Sequence, residues 1–255
     1  MAGAPGGGFT VGQRRGHPER RFSVAVSVGA MALAWARQDA APEGATVVSE
    51  REISPLGRLS EMWPAPAATT LAAAIVLRPT LPVELADAVW LVGGLASAEA
   101  AAATSGRRVG VIWPDTVVDV ETEQVVGSLK TDIQLGPGQV SSAVLSIRLD
   151  LAALGLGSAG RDTLLDEVLG ALDQRTGWLR EGADGCALAA AAYDQSCLLL
   201  GRRVKVYLLP KGEARGVAQR VDASGRLEVV SATGMVERVS VNMLRRLEIV
   251  GEGTL

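Results

Sequence analysis

Along the chain, stretches with a two-residue alternation of apolar and polar positions interchange with stretches of helical period. RFSVAVSV (21–28) alternates as a strand does, and GAMALAWARQDAA (29–41) reads as a helix stopped by Pro42-Glu43-Gly44. ATVVSERE (45–52) predicts a second strand, ISPLGRLSEMWPAPA (53–67) a loop rich in Gly and Pro, and TTLAAAIVLRP (69–79) a strand entering the core. From Val83 to Thr104 an alanine-rich run predicts a helix whose small residues let it lie close to a sheet. Strands follow at RRVGVIW, TVVDVE, QVVGSLKTDIQL and, after the turn Gly136-Pro137-Gly138, QVSSAVLSIRLDL. GRDTLLDEVLGALDQRTGWLREG (160–182) is amphipathic, with Asp162 or Thr163 expected near its N-cap, and a second helix runs through Tyr193.

Beyond Leu200 the pattern changes to short strands alone: RRVKVYLL, ARGVAQRVD, RLEVVSA and MVERVSV, separated by Pro210-Lys211-Gly212, Ser224-Gly225 and Thr233-Gly234. Four or five such strands in about 50 residues predict a small barrel, so a boundary is placed near Leu200. Residues 1–21 are rich in Gly, Pro and Arg without apolar periodicity and are expected to form a disordered tail. The expected organisation is therefore tail 1–21, main domain 22–200 and small domain 201–255.

Composition narrows the function classes. A 255-residue chain that is 48% hydrophobic and 21% charged has enough apolar surface for a sizeable core, and a net charge of −3 does not provide the basic stripe of a nucleic-acid surface. The apolar segment 22–36 follows arginines as a signal peptide would, but its change of period near Ser27-Val28-Gly29 predicts a strand and helix of a cytoplasmic protein. No charge-free run of 18 apolar residues predicts a membrane span. His17 is the single histidine, which excludes a histidine triad or a histidine-based metal site, and no metal ligands are expected. Cys186 and Cys197 are read as two buried thiols. Lys130, Lys205 and Lys211 are the only lysines.

Several motifs, in order, resemble the biotin protein ligase family, which shares its fold with lipoate ligases. LAAAIVLRP resembles the family's L-x-L-S-V-x-L-R-P strand, VIWPDTVV its V-K-W-P-N-D-v-x, and QVVGSL its K-v-a-G-I-L. AVLSIRLDL takes the place of G-x-G-I-N-v, and the terminal strands resemble the SH3-like domain that ends these enzymes. The resemblance covers roughly residues 22–250. It implies an α+β fold, a mixed sheet flanked by helices with a small C-terminal SH3-like β-barrel. It also implies the form that lacks an N-terminal DNA-binding domain, since about 20 residues precede the first expected strand.

The family reaction joins a biotin carboxylate to the α-phosphate of ATP, with Mg, and passes the acyl group to a lysine of a carrier domain. Two anions must meet, so fixed cations and oriented donors are required. Measured against that demand, Pro55–Trp63 aligns with the family loop G-R-G-R-R-G-R-x-W and keeps Gly57, Arg58 and Trp63. Leu56, Leu59 and Glu61 replace arginines, and Pro55 and Ser60 replace glycines, so the loop is expected to close differently. Ile112 replaces the lysine of K-W-P-N-D, and Asp115-Thr116 the Asn-Asp pair. Glu52-Ile53 stands for a Gln-Thr pair, Arg148 for the Asn of G-I-N, and Ser27-Val28-Gly29 for S-T-N.

Arg58 is the expected catalytic cation, and Ser27, Gly57, Trp63, Trp113, Pro114, Asp115 and Gly127 are the expected ligand-binding residues. Three readings follow. The chain is a divergent ligase relative that has lost catalysis and binds a ligand or partner; it is an active biotin–[acetyl-CoA-carboxylase] ligase with an unusual phosphate loop; or it is a structural subunit of a larger assembly. Implied partners are a biotin carboxyl carrier domain or another protein, or a second copy paired through an exposed edge strand, with neither nucleic acid nor membrane among them.

Overall fold

A computed structural model describes residues 9–251. The chain runs β1 (Phe9–Arg14), β2 (His17–Phe22), α1 (Val28–Gln38), β3 (Thr46–Ser49), β4 (Thr70–Leu77), α2 (Ala88–Ser105), β5 (Val109–Ile112), β6 (Thr116–Asp119), β7 (Val125–Gly136) and β8 (Gln139–Asp150). It continues through α3 (Gly160–Arg180), α4 (Ala183–Ser196), β9 (Arg203–Leu208), β10 (Glu213–Val221), β11 (Leu227–Val230), β12 (Val236–Val239) and β13 (Leu244–Ile249). The first eight strands form one sheet in the order β1-β2-β3-β4-β8-β7-β6-β5; the last five form a second sheet, β12-β11-β10-β9-β13. In the large sheet β2 and β3 are parallel and the other pairs antiparallel, so the fold is α+β with a mixed sheet.

The continuous apolar run of β4 is explained by burial on both sides. Leu71, Ala73, Ile75 and Leu77 point into a core shared with α2, α3 and α4, while Ala72, Ala74 and Val76 meet Ala32, Trp35 and Ala36 of α1 on the other face. The small residues of α2 permit close approach to the sheet. A Cβ on Gly93 would lie 2.6 Å from a methyl of Leu145 on β8. Val83–Ser105 has the length and composition of a membrane span, but 78% of its apolar window is buried in this core.

Two expectations are corrected. Residues 9–21 are a β-hairpin on the edge of the large sheet rather than part of a disordered tail; residues 1–8 of that tail lie outside the described residues. The hairpin buries little apolar surface, which is why no periodicity marked it. Charge pairing holds it instead: Arg14 and Arg21 both reach Asp162 of α3, Arg14 also pairs with Asp166, and Arg20 stacks 3.9 Å over Trp35.

The strand expected over 21–28 stops at Phe22, and Ser23–Ser27 bend, with Ala25 making a single bridge to Glu52. Helix α3 begins at Gly160 behind Ala159, so Asp162 falls in its first turn, near the cap as expected, where the hairpin arginines engage its carboxylate.

Candidate functional site

The ends of β5, β6, β7 and β13, with the loop between β3 and β4, surround a cavity of about 380 Å³, within the size range of small-molecule sites. Gly57, Arg58, Glu61 and Trp63 come from the loop, Ile112 to Thr116 from the β5–β6 turn, Ser128 from β7, and Leu244 to Leu247 from β13. Among the described residues its cations are Arg58, Arg245 and Arg246. Arg246 is paired with Glu248, and Arg58 is held twice. Its Nε donates to Asp115 Oδ2 at 2.9 Å and its Nη1 to the Leu244 carbonyl at 2.7 Å.

Those bonds pin the loop to the large sheet and to the second sheet at once. The loop is folded tightly: Leu56 bridges Met62, Trp63 N–H donates to the Pro55 carbonyl, and Trp63 Nε1 donates to Thr70 Oγ1. Leu59 and Ser60 sit at φ 54° and 62°, a left-handed conformation unfavourable to side chains, and Ser60 stands where the family carries a glycine. Gly57, by contrast, has φ −84° and no need of glycine's freedom.

Trp113 is 1% exposed and precedes a cis peptide to Pro114. Its indole Nε1 donates to the Gly225 carbonyl at 2.9 Å in the β10–β11 turn, so it joins the two sheets as well as backing the cavity. Gly225 has φ 82°, and a Cβ there would strike the Asp87 backbone, so this contact requires glycine. Asp87 in turn accepts the Val241 N–H at 3.0 Å, and desolvation raises its pKa.

The remaining expected residues lie elsewhere. Ser27 caps α1, its hydroxyl accepting from Ala30 N–H. Gly127 is packed: a Cβ would be 2.4 Å from Leu149 and 3.0 Å from the Arg148 carbonyl, which explains the glycine without a ligand. Lys130 pairs with Asp132 at 3.0 Å and is not on the cavity wall.

Adjacent to the cavity is an arrangement that reading the motifs one at a time does not reveal. Register places Ser49, Ala72, Arg148, Ser128 and Thr116 in one row across β3, β4, β8, β7 and β6, with their side chains on one face of the sheet. Ser128 and Thr116 line the cavity. Arg148, next to them, is 1% exposed and grips Glu52 with two hydrogen bonds, Nε to Oε2 and Nη2 to Oε1, each 2.8 Å. Glu52 Oε1 also accepts the Val28 N–H at 3.0 Å, at the N-terminus of α1, where the helix dipole favours an anion. The space beside Glu52, under Trp63 and Pro55, is about 20 Å³, room for about one water molecule. Both members of this pair were visible as departures from the family motifs. Their opposite charge was the signal that they meet.

No family model matches the chain. Among curated proteins, 111 of its residues align at 25% identity with the bifunctional ligase/repressor BirA of Bacillus spizizenii; the aligned part is 44% of this chain and 34% of that protein. The match thus spans about a third of the length of the BirA relatives. The biotin–[acetyl-CoA-carboxylase] ligase of Mycobacterium tuberculosis aligns at 26% identity over 216 residues, 79% of each chain. The biotin protein ligase of Aquifex aeolicus, solved in complex with biotin and ATP, superposes with a TM-score of 0.72 over 91% of this chain and 99% of that one, at 17% identity. The chain has the fold of these biotin protein ligases and is similar in sequence to curated ones.

The outer cavity carries three arginines, of which Arg58 and Arg246 are paired with carboxylates, and the two acids Glu61 and Asp115. Beyond Ser128 in the row, Arg148 is bonded to Glu52, and the space that Glu52 lines holds about one water.

Proposed function

We propose that this chain is a biotin-protein-ligase relative in which adenylation and acyl transfer are lost or weak, and that it works by binding an anionic ligand in the outer cavity, a protein partner, or both. One observation carries the reading. Where the family motif supplies a lysine, Ile112 forms the wall, and the cation that enters the cavity from the loop, Arg58, is already matched by Asp115. A transition-state cation of this kind is worth on the order of 10²–10³ in rate. Glu61 adds a negative charge to the same wall. A biotin carboxyl carrier domain is the first partner to try, since the Mycobacterium tuberculosis relative is named for acetyl-CoA carboxylase, and ATP the first anion.

Pyrophosphate release with biotin and ATP, read beside calorimetric titration with each, tests this. The expected result is no release above background and no joint binding of the two. Micromolar binding of both, with release abolished by Arg58→Ala, would instead establish an active ligase with an unusual phosphate loop. That second reading is favoured by the retained Arg58, Trp63 and Trp113-Pro114, which all line the cavity. The structural-subunit reading rests on β1, an exposed edge strand carrying Phe9 and Val11; a monomer at high concentration, with no co-purifying partner, counts against it.

A further inference from the structure

The Glu52–Arg148 pair differs from every other ion pair described. Both side chains are sealed, at 2% and 1% exposure. Three of the bonds that satisfy it are inside one small space: two between the partners and one from Val28 N–H. Yet Arg148 Nη1 is buried without a partner, and so is Ser146 Oγ, two residues back on the same face of β8. A leftover donor in a sealed site carries a desolvation cost that a packing role alone would not retain, since an apolar pair of similar volume is commonly as stable or more so. Against the family motifs that the sequence resembles, which carry amides at both places, the acid at Glu52 and the base at Arg148 depart as a matched pair. A single replacement would leave a buried charge uncompensated, so each makes sense only with the other.

We propose that Glu52 and Arg148 together are the specificity-determining element of this site: they close its inner end to a bulky neutral-headed acid such as biotin, and confine any ligand to the outer cavity. The proposal deepens the reading of the cavity as a ligand site without efficient acyl transfer, and rests on it. Physically, Arg148 stands in the row between Ala72 and Ser128, and the Glu52 carboxylate ties its guanidinium down against the start of α1. A ligand entering from the Ser128 side therefore meets a paired, dehydrated arginine. Displacing it would strand Glu52 in a space of about 20 Å³. Restoring two amides removes both charges and shortens the side chain at 148, so the inner end opens without leaving either partner unmatched.

The experiment measures biotin binding by calorimetry, and thermal unfolding with and without biotin, for the full chain. Glu52→Gln and Arg148→Asn alone should each lower the unfolding temperature by about 10 °C, because each strands a buried charge. The double variant should recover much of that loss and bind biotin at least about tenfold more tightly than wild type. Glu52→Gln with Arg148→Met, which keeps the volume filled, should be folded and gain nothing. A merely structural pair would give the stability pattern without the gain in biotin binding. A folded double variant with no gain overturns the proposal and leaves the wider reading of function intact. Should that variant not fold, Glu52→Gln with Arg148→Ser decides on the same criterion. Biotin that stabilises or binds wild type at micromolar concentration overturns the proposal directly. Wild-type pyrophosphate release with octanoate or lipoate overturns the loss of catalysis while leaving the closed inner end in place.

Discussion

Two ion pairs tie loop residues to the large sheet or its turns, and the difference between them separates what a ligand can change from what it cannot. Arg58–Asp115 is open: 13% and 21% of the side chains are exposed, it lines the outer cavity, and its arginine belongs to a loop. Arg148–Glu52 is closed, and its arginine sits on β8, the longest-paired strand of the sheet. An open pair gains little net stability and can exchange partners with an incoming anion. A closed pair is costly to break and keeps water and ligand out. The first offers a binding site and the second sets its limit.

Breaking the closed pair gives the largest expected effect. Arg148→Ala removes the guanidinium and leaves the Glu52 carboxylate buried beside Val28 N–H, so stability should fall by about 3–5 kcal/mol, read as a shift of the urea midpoint. A fall of under about 1 kcal/mol would mean that water reaches Glu52, and the contrast between the two pairs would collapse.

Trp113 tests whether the closed and open regions are held by the same joint. Trp113→Phe keeps the buried ring but deletes the bond to the Gly225 carbonyl, leaving that carbonyl unsatisfied between the sheets. A loss of about 1–3 kcal/mol is expected, with faster amide exchange in β10 and β11 than in β4. Equal exchange in all three strands would show that the indole does not couple the sheets.

Asp119 stands between the two cases, a sealed carboxylate paired with a half-exposed arginine. The hydrogen bond from Arg107, then those from the N–H groups of Thr122 and Glu121, hold its pKa down at about 2. Being depressed relative to the unfolded chain, it contributes stability that is full above the ordinary aspartate value and is lost as pH falls towards 2. Asp119→Asn should flatten that part of the acid-unfolding curve. An unchanged curve would place the acid sensitivity elsewhere.

Much of this architecture was legible in the residues, and the failures have physical causes. The run Leu71–Leu77 announced a core strand and the alanine-rich segment of α2 a helix close to a sheet; burial on two faces explains why that strand has no polar positions. The hairpin of β1 and β2 gave no such signal. It is held by arginines reaching Asp162 and Asp166 nearly 150 residues away, and charge complementarity at that separation has no period to read. In the site, Gly57, Arg58, Trp63, Trp113, Pro114 and Asp115 do share one cavity. Ser27 and Gly127 do not, since a helix cap and a packing glycine leave the same trace in a motif as a ligand contact. Arg245 and Arg246 were passed over because nothing in a short strand of the second sheet says that it faces the first.

The smallest effect on stability, and the most informative about ligand, comes from opening the open pair. Asp115→Asn removes the charge that Arg58 Nε meets but leaves the Arg58 bond to the Leu244 carbonyl, so the loop stays pinned at one point. The stability change should be under about 1 kcal/mol, as for other partly exposed pairs. The freed arginine should then hold anions better: a phosphate or nucleotide titrated into the variant should bind more tightly than into wild type, with Arg58→Ala removing the gain. Because the contact is electrostatic and reached by solvent, raising salt should erode the gain first. If Asp115→Asn instead weakens anion binding, the carboxylate is orienting Arg58 towards the ligand rather than competing with it. The open pair would then be a preorganised part of the site, and only the closed pair would act as a barrier.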